Sequence, residues 1–331
     1  MPQTFKENHS SSTAIITACI LFGTAGIFLK GIKEMEIGSI LFYRLFFGLS
    51  GILIYLAVIG KLHNLSLKRN KKYLVLLGVL NTITVFSYYS SIKLTSISVA
   101  VLLLYTAPIY VILLSPIFLK EKVTLKNLVA LTLCFSGIVL VVDPSSLVTV
   151  GGQSSSGNSA YLPGLFFGLL SGLSYGFSII TVNYLKEDYS GLSQTFWSTV
   201  VSLLLLLPFG LSVSVPVLIE NLRVLIPFGL LGTATGSLLY FCGIARIKAQ
   251  KASVLSLIEP VSSIFFGCTF LGENLYTSTI EGCAFILFGA LLVNFRLPFR
   301  LEKSFGSGFS SSFRGFPQIY RPRLPPGIGK F

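Results

Sequence analysis

The sequence predicts an all-α integral membrane protein in which ten transmembrane helices form two inverted five-helix repeats. Three observations carry that expectation. The chain is 53% hydrophobic and only 11% charged, whereas soluble domains carry about 25% charged residues, so there is too little charge to cover a water-facing surface. Apolar windows of roughly 20 residues, the length that crosses about 30 Å of hydrocarbon, recur along the whole chain. The second half also repeats a residue pattern of the first at an offset of 152 residues, as Ala100 falling on Ala252 illustrates.

The windows place spans at 14–32, 39–60, 73–92, 97–119, 127–142, 161–183, 192–214, 224–245, 252–271 and 280–297. A polar cytoplasmic stub, 1–13, precedes the first span. That span is read as retained, because a signal peptide would have a shorter apolar region and would not lead at once into another span. The fifth span stops at Asp143-Pro144, where proline disfavours helix in the residue before it. The predicted domains are therefore a first repeat over 14–142, an external Ser/Gly-rich linker over 143–160 and a second repeat over 161–297. A basic cytoplasmic tail, 298–331, is rich in Gly, Ser and Pro and is expected to be disordered.

Charge orients the spans. One side collects Lys6; Lys61, Lys68, Arg69, Lys71 and Lys72; Lys120, Lys122 and Lys126; Lys186; and Arg246, Lys248 and Lys251, with the tail adding more. The other side holds Lys30, Lys33, Lys93 and Arg223. Both termini are accordingly expected in the cytoplasm of a multi-pass cell-membrane protein. The net charge of +13 is assigned to topology and to contact with anionic lipid, not to nucleic acid.

In the repeat, Pro108 falls on Pro260, Phe118-Leu119 on Phe270-Leu271, Glu121 on Glu273, Gly137 on Gly289, and Tyr88 on Tyr240. Pro, Glu and Gly in one register are harder to obtain by chance than Leu or Val matches. Five spans per repeat is an odd number, so the second repeat crosses the membrane in the opposite sense. Inverted repeats with a site near the bilayer midplane, lined by interrupted helices, are a construction plan of secondary transporters.

Three stretches also resemble the drug/metabolite transporter superfamily in its ten-span EamA-like branch: "FYRLFFGL" (42–49), "YTAPIYVILLSPIFLKEKVTLKNLVALTLCFSGIVLV" and "IEPVSSIFFGCTFLGENLYTSTIEGCAFILFGALLV". The likeness covers nearly all of 14–297. It implies a central cavity between the repeats, alternating access, and often export of amino acids or other small metabolites. One departure is that Arg44 falls opposite Phe196, so the two halves of the site are not equivalent.

The residues that could bind substrate or couple its movement are few. Glu259 and Arg44 are the clearest ionisable groups inside spans, where a charge costs roughly 2.5 to 3.5 kcal/mol on insertion scales and tends to face a cavity or a partner. Glu259 is expected to bind a cationic group or a proton, or else to anchor the turn before Pro260. Arg44 either reaches back to the interface or receives an anionic group. At 1.5 Å per residue the two lie about 8 and 10 Å below opposite faces, too far apart in depth for a direct ion pair. Tyr88, Tyr105, Tyr175, Tyr240, Trp197, Asn81 and Asn183 are candidate lining or packing residues. Pro108 and Pro260 mark helix breaks that either form the cavity wall or are packing kinks.

Enzyme chemistry finds no support. The histidines, His9 and His63, lie outside the spans, no nucleophile-and-base or P-loop pattern occurs, and the five cysteines show no metal-ligand spacing. No catalytic residue, cofactor or metal is called for. The expected function is secondary-active or facilitative transport of small metabolites, led by export of amino acids or related amine-bearing compounds, with the lipid bilayer, the substrate and protons as partners. The alternatives are a lipophilic cationic drug exporter and a non-transporting membrane sensor.

Overall fold

In hydrocarbon every backbone N–H and C=O needs an internal partner, which leaves a chain this apolar with helix as its spanning form. The computed structural model describes residues 9–60, 62–67, 69–95, 97–141, 161–272 and 276–294, and the described residues are helical with short turns. The 143–160 linker, the 298–331 tail, Glu273 and most of the 1–13 stub lie outside them. Among the described residues eight helices are long and apolar enough to cross a membrane by themselves, and two shorter apolar helices, Leu125–Val141 and Thr277–Val293, complete ten spans.

Several span boundaries differ from those read from the sequence, each for a local reason. The first helix starts at His9 rather than Ala14, because Ser11 and Ser12 are buried and the backbone of Ser11 lies against Gly243 of span eight. Span eight starts at Val215, not 224. Glu220 and Arg223 depress its hydropathy, but the Asn221 side chain docks its first turns on the backbone of Lys33, donating to the carbonyl and accepting from the amide at 3.0 Å each. Span nine starts at Ala249 instead of 252.

The packing has the symmetry that the repeat demands. Spans one and nine pack together, as do their counterparts six and four; span one meets eight as six meets three; and three meets seven as eight meets two. Span two packs on seven and five on ten, each on its own counterpart. At the crossing of five and ten, a Cβ on Gly137 would sit 2.5 Å from the Gly282 carbonyl oxygen, and one on Gly289 would sit 2.8 Å from the Ala130 carbonyl oxygen. The two contacts are images of each other under the 152-residue shift.

The bundle is inside-out relative to a soluble protein. Large apolar side chains such as Leu162, Leu204, Leu211 and Phe265 are exposed, while serines and threonines fill the helix interfaces. Thr84 Oγ1 donates to Ser174 Oγ at 2.9 Å and Ser202 Oγ to the Gly78 carbonyl at 3.0 Å, as expected where small polar residues join helices that lipid surrounds.

Among the described residues four spans are interrupted, span one by the turn at Thr24 between His9–Gly23 and Ala25–Gly31. Span four consists of Ile97–Leu104 and Ala107–Phe118, and span nine of Ala249–Leu255 and Ile258–Leu271. The breaks fall just upstream of Pro108 and Pro260, so each proline sits in the first turn of a new helix, where an absent N–H costs little. Span eight is α-helical over Val215–Phe228, π-helical over Gly229–Ser237 and α-helical again over Leu238–Ile244.

Candidate functional site

The broken segment of span nine positions Glu259. Pro260 cannot donate to the carbonyl of Ser256, and Glu259 N–H turns back to that same oxygen in a tighter bond of 3.1 Å. The thiol of Cys19, from span one, points at the opened joint, 3.8 Å from the Leu255 carbonyl and 3.9 Å from that of Ser256. The side chains from Lys251 to Ile258 are buried, as is Pro260, but Glu259 keeps accessible surface. Glu259 is thus the one residue from Lys251 to Pro260 that is not fully packed.

Glu259 lies ten residues into span nine, about 15 Å along the axis, and Arg44 seven residues into span two from Ile37, about 10 Å from the other face. The earlier start of span nine brings the two to closer depths than the sequence suggested. They attract each other electrostatically, yet among the described residues neither a hydrogen bond nor an ion pair joins them.

Arg44 is held by span eight. Its Cζ stands 4.6 Å from the centre of the Phe228 ring, a cation–π contact. A Cβ on Gly232 would lie 2.9 Å from Arg44 Nη2 and 3.0 Å from Nε, so the absent side chain at 232 is what admits the guanidinium. Gly232 belongs to the π-helical stretch, a geometry frequent at functional sites. Arg44 Nε and Thr233 Oγ1 are both buried and find no hydrogen-bond partner among the described residues.

The field of the Glu259 carboxylate reaches Tyr88, Tyr89, Tyr105, Tyr175 and Tyr240. Tyr88, Tyr89 and Tyr175 are half-buried, whereas Tyr105 and Tyr240 are buried. The Tyr240 hydroxyl meets that of Tyr175 at 2.6 Å. Asn81 shares the helix face of Tyr88, two turns away along span three.

The structure does not bring Trp197 into this group. Its Nε1–H donates to the Leu65 carbonyl at 2.9 Å, at the turn between spans two and three. Asn183 is likewise a brace, donating to the carbonyls of Ile244 and Ile247. Sequence reasoning missed Tyr89, Gly232, Thr233 and Phe228; the run "FGLLGTATGS" (228–237) was the available signal for three of them. A separate groove of about 490 Å³ between spans one, nine and ten contains neither Glu259 nor Arg44. Ile20, Phe265 and Leu291 in its wall are exposed on the lipid-facing surface.

Comparison with known proteins agrees with the geometry. The sequence pattern of the EamA-like transporter family matches residues 10–143 and again 162–295. An uncharacterized transporter of Archaeoglobus fulgidus is 32% identical over 289 residues, 87% of this chain and 97% of the relative. An uncharacterized inner membrane transporter of Salmonella typhimurium is 26% identical over 290 residues, 85% and 93% of the two chains. A crystal structure superimposes with a TM-score of 0.70 at 16% identity, over 86% of this chain and 97% of the other, a likeness of fold.

Proposed function

This chain belongs to the EamA-like transporter family, and from that premise we propose that it exports amino acids or related amine-bearing metabolites by alternating access of its two repeats. It is a multi-pass membrane transporter, not an enzyme, with the bilayer as its surroundings and a small molecule as its cargo. The observation that carries the proposed substrate class is Glu259: a carboxylate near the middle of a broken span, partly exposed while its neighbours are buried.

A carboxylate there serves an amine in two ways. Its charge replaces part of the hydration that a cationic group loses on entering the bundle, and it can exchange that group for a proton on the return step. The paired breaks in spans four and nine give each repeat a joint at equivalent places, and tilting one half against the other moves the opening from one membrane face to the other. The basic residues of the loops favour the cytoplasm for the end of the bundle that carries Lys248 and Lys251.

The test is depletion of a mixed pool of amino acids, metabolites and amine drugs from vesicles that hold the purified protein. Glu259→Gln vesicles and protein-free vesicles serve as controls. Selective movement of amine-bearing compounds by the wild type alone supports the reading. Equal movement by the Glu259→Gln protein would leave the carboxylate an architectural role, and preference for lipophilic cations over amino acids would favour drug export instead.

A further inference from the structure

We propose that the groove between spans one, nine and ten holds one acyl chain of a neighbouring phospholipid, and that this chain braces the joint of span nine beside Glu259. Glycines seat the three helices in a way that leaves the groove. A Cβ on Gly289 of span ten would lie 2.5 Å from Cys134 Sγ of span five, and one on Gly23 of span one would lie 2.6 Å from Ser262 Cβ of span nine. Span ten is thus seated on five and span one on nine, and about 490 Å³ remains between Ile16 and Ile20 on one side and Leu287 and Leu291 on the other. The floor is the joint itself. Leu255 ends one helical segment of span nine and Ile258 begins the next, both line the groove, and Glu259 follows directly.

The lining selects the occupant. Ser262 is its one polar side chain, and that hydroxyl donates to the Ile258 carbonyl at 3.2 Å, so the walls offer a ligand only hydrocarbon. An apolar cavity of this kind stays dry and takes an apolar guest. Ile20, Phe265 and Leu291 are 43%, 62% and 51% exposed, so the groove opens to the bilayer. Phe265 lies six residues and Leu255 sixteen from the end of span nine at Leu271, about 9 and 24 Å along the axis. At those depths a hydrocarbon core about 30 Å thick presents chain methylenes and no headgroup. In the first repeat a helix closes on the equivalent joint. A Cβ on Gly168 of span six would be 2.4 Å from Leu103 Cδ1, and one on Gly172 2.4 Å from the Leu103 carbonyl oxygen, Leu103 being the counterpart of Leu255 under the 152-residue shift. Span one instead presents Ile16 and Ile20 to the joint of span nine, and the space beside these larger side chains is left for lipid to fill.

The experiment uses the full chain in detergent and is independent of what the cargo is. Dioleoyl phosphatidylcholine is added, and two quantities are followed: the melting temperature, and the rate at which N-ethylmaleimide alkylates Cys19, whose thiol points at the joint, read by peptide mass spectrometry. A chain bound to the folded form raises the first, and a braced joint slows the second. The expected result for wild type is a higher melting temperature with roughly threefold slower alkylation. Ile20→Trp and Ala290→Phe fill the groove from spans one and ten, and each should remove most of both effects; either suffices if the other folds poorly. Leu204→Trp, on exposed surface outside the groove, should keep both. No response in wild type, or equal responses in all four proteins, would overturn the proposal, as would a full response to glycerophosphocholine, which has the headgroup without the chains. A higher melting temperature with unchanged alkylation would overturn the brace. Protection by tetraphenylphosphonium in place of phospholipid, lost in the filled variants, would make the groove a path for cargo and overturn the assignment to lipid.

Discussion

The thiol of Cys134 donates to the carbonyl of Ile286 at 3.5 Å, and these two residues stand 152 positions apart, the offset of the repeat. Equivalent positions that touch lie on the axis relating the two halves. Spans five and ten thus pack on that axis, as spans two and seven do.

The crossing of five and ten should tolerate no added volume. Gly137 and Gly289 each face opposing backbone within 2.8 Å of an added Cβ, and overpacking of this kind costs about 1 to 3 kcal/mol. Gly137→Ala and Gly289→Ala should lower the melting temperature in detergent by similar amounts. Gly26→Ala, with nothing within 4 Å, should leave it unchanged.

Glu121 links the repeats at the basic end. Its carboxylate accepts from the amides of Ala249 at 2.9 Å and Gln250 at 3.3 Å, capping span nine, while the Gln250 side chain accepts from Asn127 and donates to Ser115. Burial holds the Glu121 carboxyl above its ordinary value of 4.5, although the two amides favour its ionised form. A carboxyl raised on folding contributes stability that is complete below its unfolded value and is lost as pH climbs through the folded one. The stability of wild type relative to Glu121→Gln should therefore decline with rising pH across the carboxylate range. Chemical unfolding of both proteins from about pH 4 to about pH 8 checks this; a constant difference would mean that the carboxyl is hydrated.

Removal of the hydroxyl at Tyr240 breaks its 2.6 Å contact with Tyr175. Tyr240→Phe and Tyr175→Phe should each cost about 0.5 to 1.5 kcal/mol. The double variant should cost less than their sum, since both singles delete one shared bond. Melting temperatures of the three variants measure the coupling.

Trp197 is tied to the Leu65 carbonyl, away from Glu259. Trp197→Phe should lose about 1 kcal/mol of stability through that bond while transport keeps its wild-type KM. A raised KM with an unchanged melting temperature would return Trp197 to the substrate path.

Much of this protein was legible in its residues. Composition determined the membrane, since so few charges cannot cover a surface in water, and the register shared by Pro108 with Pro260 and Gly137 with Gly289 determined the duplication. An odd number of spans in each half then made the repeat inverted, because a chain that crosses five times must begin its next half on the other side. Glu259 and Arg44 stood out because charge inside an apolar span is costly.

The tertiary structure decided which polar and aromatic residues are packed and which keep accessible surface. Hydropathy measures transfer from water to oil and is blind to helix rotation, so it could not separate Tyr88 and Tyr175, which are half-buried, from Tyr240, which is buried, or Trp197, fixed at a turn. Nor could it register Gly232 and Thr233. Their significance is an absent side chain and an unpaired hydroxyl, properties that exist only once span eight is pressed against the guanidinium of Arg44.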